Sequence, residues 1–457
     1  MTIGKLGKVY GPLILLGGIL AVYVYFFSFL GTSYSPYYGD EFFYFKNSES
    51  YYLTHSLKAS FTYSGNGARL LGADAHGPAY PLLYGAIAKL IGWNGLTIPI
   101  VNGSILILAI LMLLWSKEAS LETKPLHCLL ILGSPITLFY AITYLPELIQ
   151  IAGAIGLYLI LQRYLSTKSL TDFLVLSTYV LILGSIRSTW FFAFFGLILL
   201  SGPIKGLAKI FYFILGLILP FLYQHFLHEQ VPNTFSGLGE MIAKQGLFAG
   251  LDAVFFNLKR NIYFAFTYTE GLFYTVQKLW IAGSLIVSAL LFRKSKLIGF
   301  GVIVLLSMIA FNVILYKNYA WTELRMYAPL TFFLNLGMVS DSRNRHPAIG
   351  LTSLSLLSFI LILPLQQTLM NFRTHPNVLS IPDTILQEIE NLDAPLVYVD
   401  TTILNEYQIT EVPVLTSKKQ QIRYILPYYS IPMAAPIHIF KLDKAQLTIK
   451  SEKILSQ

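Results

Sequence analysis

The sequence predicts an all-α polytopic membrane protein with about eleven transmembrane helices, interfacial helices in a long first external loop and a small C-terminal α/β domain outside the membrane. Three observations carry this prediction. Of 457 residues, 55% are apolar and only 12% charged, and the mean hydropathy is +0.61, a composition that a soluble domain of this length could not hide from water. Apolar runs of roughly span length recur along the chain. Basic residues gather in every second connector, as they do where short loops stay cytoplasmic.

The first run, Gly11 to Leu30, follows Lys5 and Lys8. It is about as long as the ~20 residues that cross a bilayer, and no clear small-x-small cleavage site follows it, so it reads as an uncleaved first span. Ten further runs lie at 97–115, 126–144, 147–163, 171–186, 188–201, 208–225, 271–292, 297–316, 328–340 and 348–365. The basic connectors are Lys117/Lys124, Arg163/Lys168, Lys205/Lys209, Arg293/Lys294/Lys296 and Arg343/Arg345. Their alternation puts the amino terminus in the cytoplasm and the tail outside. Ala79 to Gly92 is also apolar, but it is short, is opened by Pro78 and Pro81 and contains Lys89. Counting it as a span would put all five basic connectors outside, so it reads as a helix along the external interface.

Residues 1–365 then form the transmembrane domain, with external loops at 31–96 and 225–270, and 366–457 form the extracytoplasmic domain. Loops this long usually carry function. In the tail, Leu396–Val399 and Ile437–Phe440 read as strands and Asp383–Leu392 as a helix. The net charge is +9, yet the tail holds eight Lys/Arg against nine Asp/Glu, so the basic excess belongs to the membrane part. There it sets topology, and no nucleic-acid partner is implied. The single cysteine, Cys128, allows neither an intrachain disulfide nor a multi-cysteine metal site.

Candidate chemistry begins at Asp40-Glu41, just past the first span. A partly desolvated carboxylate at a lipid surface is a candidate general base, although Asp40 could equally cap the following helix. Later in the same loop, Asp74-Ala75-His76-Gly77-Pro78-Ala79-Tyr80 offers residue types that bind phosphate, His76 as donor and the Gly-Pro turn as a fixed approach. A solvated loop histidine is the plainer reading. Arg325, in Glu323-Leu324-Arg325-Met326-Tyr327, opens the tenth span. It could clamp a phosphate through its planar fork, oriented by Glu323 or Tyr327, or simply pair with Glu323 or snorkel to headgroups. Glu147 and Arg187 fall at external ends of spans, where such charges line a polar cavity or pair with each other. His225 and His228 lack a third firm ligand, so no protein-bound metal is expected.

In order, Asp40-Glu41, the stretch His76-Gly77-Pro78-Ala79-Tyr80-Pro81-Leu82 and Arg325-Met326-Tyr327-Ala328-Pro329 resemble the GT-C superfamily of polyprenyl-phosphate-dependent glycosyltransferases. The resemblance is to the branch of protein O-mannosyltransferases and lipid A aminoarabinose transferases. Gly77 stands where that pattern has its first proline, and Met326 separates Arg325 from Tyr327. The resemblance implies inverting transfer from a polyprenyl-phosphate sugar to an extracytoplasmic glycan, lipid or protein hydroxyl. It implies Asp40 as base with Glu41 beside it, and Arg325, His76, Tyr327 and Arg187 on the donor phosphate. Asp74, Tyr80, Glu147 and Glu323 would line the substrate pocket. No cofactor or divalent metal is implied, and the location is a plasma (inner) membrane of prokaryotic type. A lipid-linked donor also accounts for the lack of any Gly-rich phosphate loop in the sequence. The alternative from another class is a transporter or flippase of a lipid-linked saccharide.

Overall fold

The computed structural model describes the chain except for residues 1–2, 32–33, 38–39, 75, 118–121, 201–205, 230–233, 268–270, 316–323, 341–344, 375–379, 393–395, 400–408, 426–436, 444–447 and 455–457. The first half holds α1 (Ile3–Phe27), α2 (Asp40–Thr54), strand β1 (Phe61–Thr62), α3 (Ala79–Ile91), α4 (Thr97–Trp115), α5 (Lys124–Leu132), α6 (Pro135–Ala141), α7 (Glu147–Thr167) and α8 (Leu170–Ile186). A 3-10 turn at Ser188–Phe192 leads into α9 (Ala193–Leu200), then α10 (Gly206–Leu227), α11 (Thr234–Gln245), α12 (Leu247–Thr267), α13 (Leu272–Leu291) and α14 (Lys296–Leu315). The last part holds α15 (Ala328–Ser340), α16 (Arg345–Thr374), α17 (Asp383–Glu390), β2 (Leu396–Val399), β3 (Arg423–Ile425), β4 (Ile437–Asp443) and β5 (Thr448–Ile454).

Among the described residues, six helices, α4, α7, α10, α13, α14 and α16, are long and apolar enough to cross a membrane. The run read as one span at 126–144 is instead broken into α5 and α6, bent by 59°, and the pair would make a seventh. Pro135 explains the break, since it cannot donate to the ladder of the preceding turn. Shorter apolar helices occupy Gly11–Phe27, Ala79–Ile91, Leu170–Ile186, Ser188–Leu200 and Ala328–Ser340. Each run read from the sequence therefore has a helical counterpart, though not each as a full-length span.

Close helix approach rests on small residues, because lipid supplies no hydrophobic drive between helices. A Cβ on Gly301 of α14 would lie 2.6 Å from Leu334 of α15, and one on Gly196 of α9 would lie 2.5 Å from Phe300 of α14. Polar side chains add interhelical bonds: Asn335 donates to Ser284 Oγ at 2.9 Å and Gln277 to Ser358 Oγ at 2.6 Å. Such bonds contribute about 0.6–2 kcal/mol each.

Two expectations about boundaries are corrected. The limit at residue 366 falls inside α16, whose 30 residues make a rod of about 45 Å, longer than a hydrocarbon core of about 30 Å. The first loop and the tail are also not separate units. β1 of the loop pairs in parallel with β3 of the tail, Phe61 opposite Tyr424, in a sheet ordered β1-β3-β2-β4-β5. Among the described strands, β4 and β5 run antiparallel and the other pairs parallel. The strands expected at 396–399 and 437–440 are present as parts of β2 and β4, and the expected tail helix as α17.

Phe42 and Phe43 of α2 share an apolar cluster with Phe61, Ile389, Val397, Val399, Tyr424 and Phe440. Lys46, 1% exposed, fixes the same helix to the tail by donating to Glu49 at 2.6 Å and to the carbonyls of Thr410 and Val412 at 2.6 and 2.8 Å. Thus α2 lies between this composite sheet and the helical bundle. The 225–270 segment, read as a loop, contains α11 and α12. Asn257 and Asn261 of α12 donate to the carbonyls of Ile314 and Val313 at the end of α14, satisfying acceptors that a helix terminus leaves open.

Candidate functional site

Asp40 opens α2 and is partly exposed. The helix dipole favours a carboxylate there, but its neighbours give the position a different character from a plain cap. Arg325, held in a 3-10 turn just ahead of α15, donates to Asp40 Oδ2 at 2.8 Å. His76 Nε2 lies 3.6 Å from Oδ1, and the Tyr63 hydroxyl donates to the same oxygen at 3.3 Å. The three short stretches that carry the resemblance are therefore brought into one cluster.

Asp74 is buried behind His76. Its Oδ1 accepts from the His76 backbone N–H at 2.7 Å and lies 3.6 Å from Nδ1, while Oδ2 accepts from Asn47 of α2. Asp74 thus orients the histidine, and it also lines a small cleft with Asn47, Gly77, Pro78 and Pro81. Gly77 follows with φ +79°, and a Cβ there would collide with the Tyr223 hydroxyl. Proline cannot take a positive φ, so this turn accepts glycine and excludes proline.

Glu147, the first residue of α7, is 3% exposed. Its Oε1 is approached by two cations, Arg187 Nη1 at 3.6 Å and Arg325 Nε at 3.8 Å, and its buried Oε2 makes no hydrogen bond among the described residues. Arg187 reaches it because the chain leaves the helical conformation between α8 and the 3-10 turn, with Arg187 at φ −145°, ψ 118°. Two arginines thus approach one carboxylate oxygen, and the planar fork of donors on a guanidinium is suited to an anion.

Electrostatics follow from this geometry. Burial alone pushes the Asp40 carboxyl up, but His76 and Arg325 outweigh it and hold it well below the usual carboxylate range. Burial disfavours a charged His76, yet the bonds and charges of Asp40 and Asp74 push it up to about 10. His228, buried and near the His76 charge, is lowered to about 4 and is neutral at pH 7.

Of the other expected site residues, Tyr80 borders this cluster, close enough to Glu147 and Arg187 to feel both charges, whereas Glu41 and Tyr327 are placed elsewhere. Glu41 is fully buried and closed in a bidentate pair with Arg373 near the end of α16, both N–H···O contacts at 2.7 Å. It also accepts from the backbone N–H of Tyr37 at 2.8 Å and of Tyr144 at 3.3 Å, so its lone pairs serve the fold and not the Asp40 cluster. The Tyr327 hydroxyl accepts from Asn312 of α14 at 3.4 Å inside the bundle. Tyr80 is buried, edge-on to Tyr44, with its hydroxyl taken by Gln150. Glu323 lies outside the described residues.

Three contributors were not found from the sequence. Tyr63 touches Asp40 but stands in an unremarkable loop, and no local pattern marks it. Glu229 follows the two histidines that drew attention, and accepts from Tyr63 N at 2.9 Å, Ser64 N at 2.8 Å and Ser64 Oγ at 2.6 Å. Arg373 had one available signal, a lone cation just past a long apolar run, which needs an anionic partner when buried.

Comparison with models of known protein families, with curated proteins and with solved structures gives no match.

Proposed function

We propose that this chain is a membrane glycosyltransferase of the GT-C type that moves a sugar from a polyprenyl-phosphate donor to an extracytoplasmic hydroxyl with inversion. In this reading it crosses a plasma membrane eleven times, with the amino terminus cytoplasmic and the Asp40 cluster and composite sheet outside. The observation that carries the reading is the direct contact of Asp40 with Arg325, with His76 and Arg187 close by. A candidate base and a set of anion-binding donors stand together at one end of apolar helices, where a lipid-linked phosphate would present its sugar.

The donor phosphate binds Arg325 and Arg187, which in its absence share Glu147. As Arg325 turns to the phosphate, Asp40 loses a cation that depresses its basicity, and becomes a better proton acceptor. Asp40 takes the acceptor's proton as the acceptor oxygen bonds to the anomeric carbon. The carbon–oxygen bond to phosphate breaks on the opposite face, and its electron pair leaves with the lipid phosphate, whose charge the arginines and His76 stabilise.

The test is sugar release from a panel of radiolabelled undecaprenyl-phosphate monosaccharides by purified protein, wild type against Asp40→Asn. General-base loss lowers turnover by about 10²–10⁴ while the folded protein and donor binding remain. Equal turnover by the variant would remove Asp40 as the base. No consumption of any donor, with acceptors present, would bring the transporter reading forward.

A further inference from the structure

Resting on the glycosyl-transfer reading, we infer that the two oxygens of Asp40 divide the site. The Oδ2 side, at Arg325, receives the donor phosphate. The Oδ1 side, at Tyr63, receives the acceptor hydroxyl, with Tyr63 as a further catalytic residue and Glu229 as the residue that positions it.

The division starts from hydrogen bonding. Arg325 binds Oδ2, whereas Tyr63 and His76 approach Oδ1. An alcohol that is to lose its proton to Asp40 must first donate to one of these oxygens, within about 2.6–3.2 Å. The Tyr63 hydroxyl makes that kind of bond now, at 3.3 Å, and marks a direction from which a hydroxyl reaches the carboxylate without meeting Arg325. The Oδ2 side is instead crowded by the guanidinium, and behind it lie Glu147 and Arg187.

The support of Tyr63 is more elaborate than a surface loop requires. Glu229, 1% exposed, accepts three hydrogen bonds from Tyr63 and Ser64, and its own N–H donates to the Asp74 carbonyl at 3.0 Å. On the other flank Arg423 of β3 donates to the Gly65 carbonyl at 3.1 Å, and Gly65 N donates to Thr62 Oγ1 at 2.9 Å. The Tyr63 ring stacks on Phe43 of α2, centroids 4.2 Å apart. Loop, tail sheet and the segment after α10 therefore all hold one phenol against the base, an arrangement that fixes geometry for reaction.

In the reaction the acceptor hydroxyl gives its proton to Oδ1 while its oxygen forms the new glycosidic bond and the lipid phosphate leaves from the Oδ2 side. Tyr63 keeps its proton throughout. It steadies Oδ1 before transfer and borders the incoming oxygen.

The experiment uses the full chain in lipid nanodiscs, an undecaprenyl-phosphate sugar that wild type turns over, and octyl glycosides and Ser/Thr peptides as acceptor probes. For Tyr63→Phe the expected result is a 10- to 100-fold loss of kcat/KM for the acceptor with donor KM within about twofold. The acid limb of the pH profile should also move to higher pH, because Asp40 loses a donor that stabilises its charged form. Glu229→Gln should shift the same acceptor constants by a smaller factor, and Arg325→Lys should show the opposite pattern, a raised donor KM. Unchanged acceptor constants in Tyr63→Phe, or a donor KM that rises as much as the acceptor KM, would overturn the division while leaving the transfer reading intact. Failure of wild type to consume any donor would overturn both.

Discussion

Asp40 Oδ2 and Arg325 Nη2 lie 2.8 Å apart, joining the first turn of α2 to a residue 285 positions later in the chain. His76 completes the arrangement from the other oxygen. Its pH dependence follows by linkage. Asp40 is held below its ordinary value near 3.8, so its contribution to stability is present above that value and is lost as pH falls below it. His76 is raised from 6.5 to about 10, so its contribution is complete below pH 6.5 and is lost as pH rises toward 10. The melting temperature in nanodiscs should therefore decline between pH 6.5 and 10, and His76→Asn should flatten that decline. An identical alkaline slope in wild type and variant would show that His76 carries no charge in the folded protein at neutral pH.

Glu41 and Arg373 make a different kind of pair, fully enclosed and bidentate. Removing one member strands the other as a buried charge, which costs about 3–5 kcal/mol. Glu41→Ala and Arg373→Ala should each lower the unfolding temperature strongly, and the double variant should cost clearly less than the sum of the two. Additive losses would mean that the two residues act independently.

The contrast between these neighbours shows how much could be read beforehand. Asp40, His76, Arg187, Glu147 and Arg325 were legible because each is an ionisable group where an apolar chain gives it no cheap alternative. Their convergence was not legible, since it depends on how α2, α7 and the turn before α15 pack. Glu41 looked equivalent to Asp40 because adjacent carboxylates are indistinguishable by type. The helix turns successive side chains about 100° apart, and that rotation sends one to Arg325 and the other to Arg373. Each apolar run coincides with helix, six of them long enough to cross a membrane among the described residues, but the bend between α5 and α6 and the joining of β1 to a tail strand were not foreseen. A two-residue strand has no period to detect, and its partner lies more than 350 residues away.

Gly77 offers a local test of the loop that holds His76. Its φ of +79° disfavours any side chain, and an added methyl group would strike the Tyr223 hydroxyl. Gly77→Ala should cost about 1–2 kcal/mol from backbone conformation alone, plus the collision, and should lower activity by displacing His76. Adding Tyr223→Phe removes the oxygen and should recover the collision part only. Full activity in Gly77→Ala would mean that this turn does not set the position of His76.

The composite sheet predicts a dependence that a separable C-terminal domain would not have. β1 pairs with β3, Phe42 and Phe43 pack among tail residues, and the buried Lys46 ammonium donates to two tail carbonyls as well as to Glu49. Deleting 375–457 keeps every apolar helix and the whole of α16, yet it uncovers two phenylalanines and leaves Lys46 with Glu49 alone. The burial of each phenylalanine stabilises by about 1.5–3 kcal/mol, so α2 should lose its fixed position and Asp40 with it. The shortened protein should still insert in membranes and retain helical circular dichroism, while turnover and protease resistance of the first loop are lost. Sugar transfer at the wild-type rate by the shortened chain would show that the bundle alone positions Asp40 and that the sheet serves another purpose.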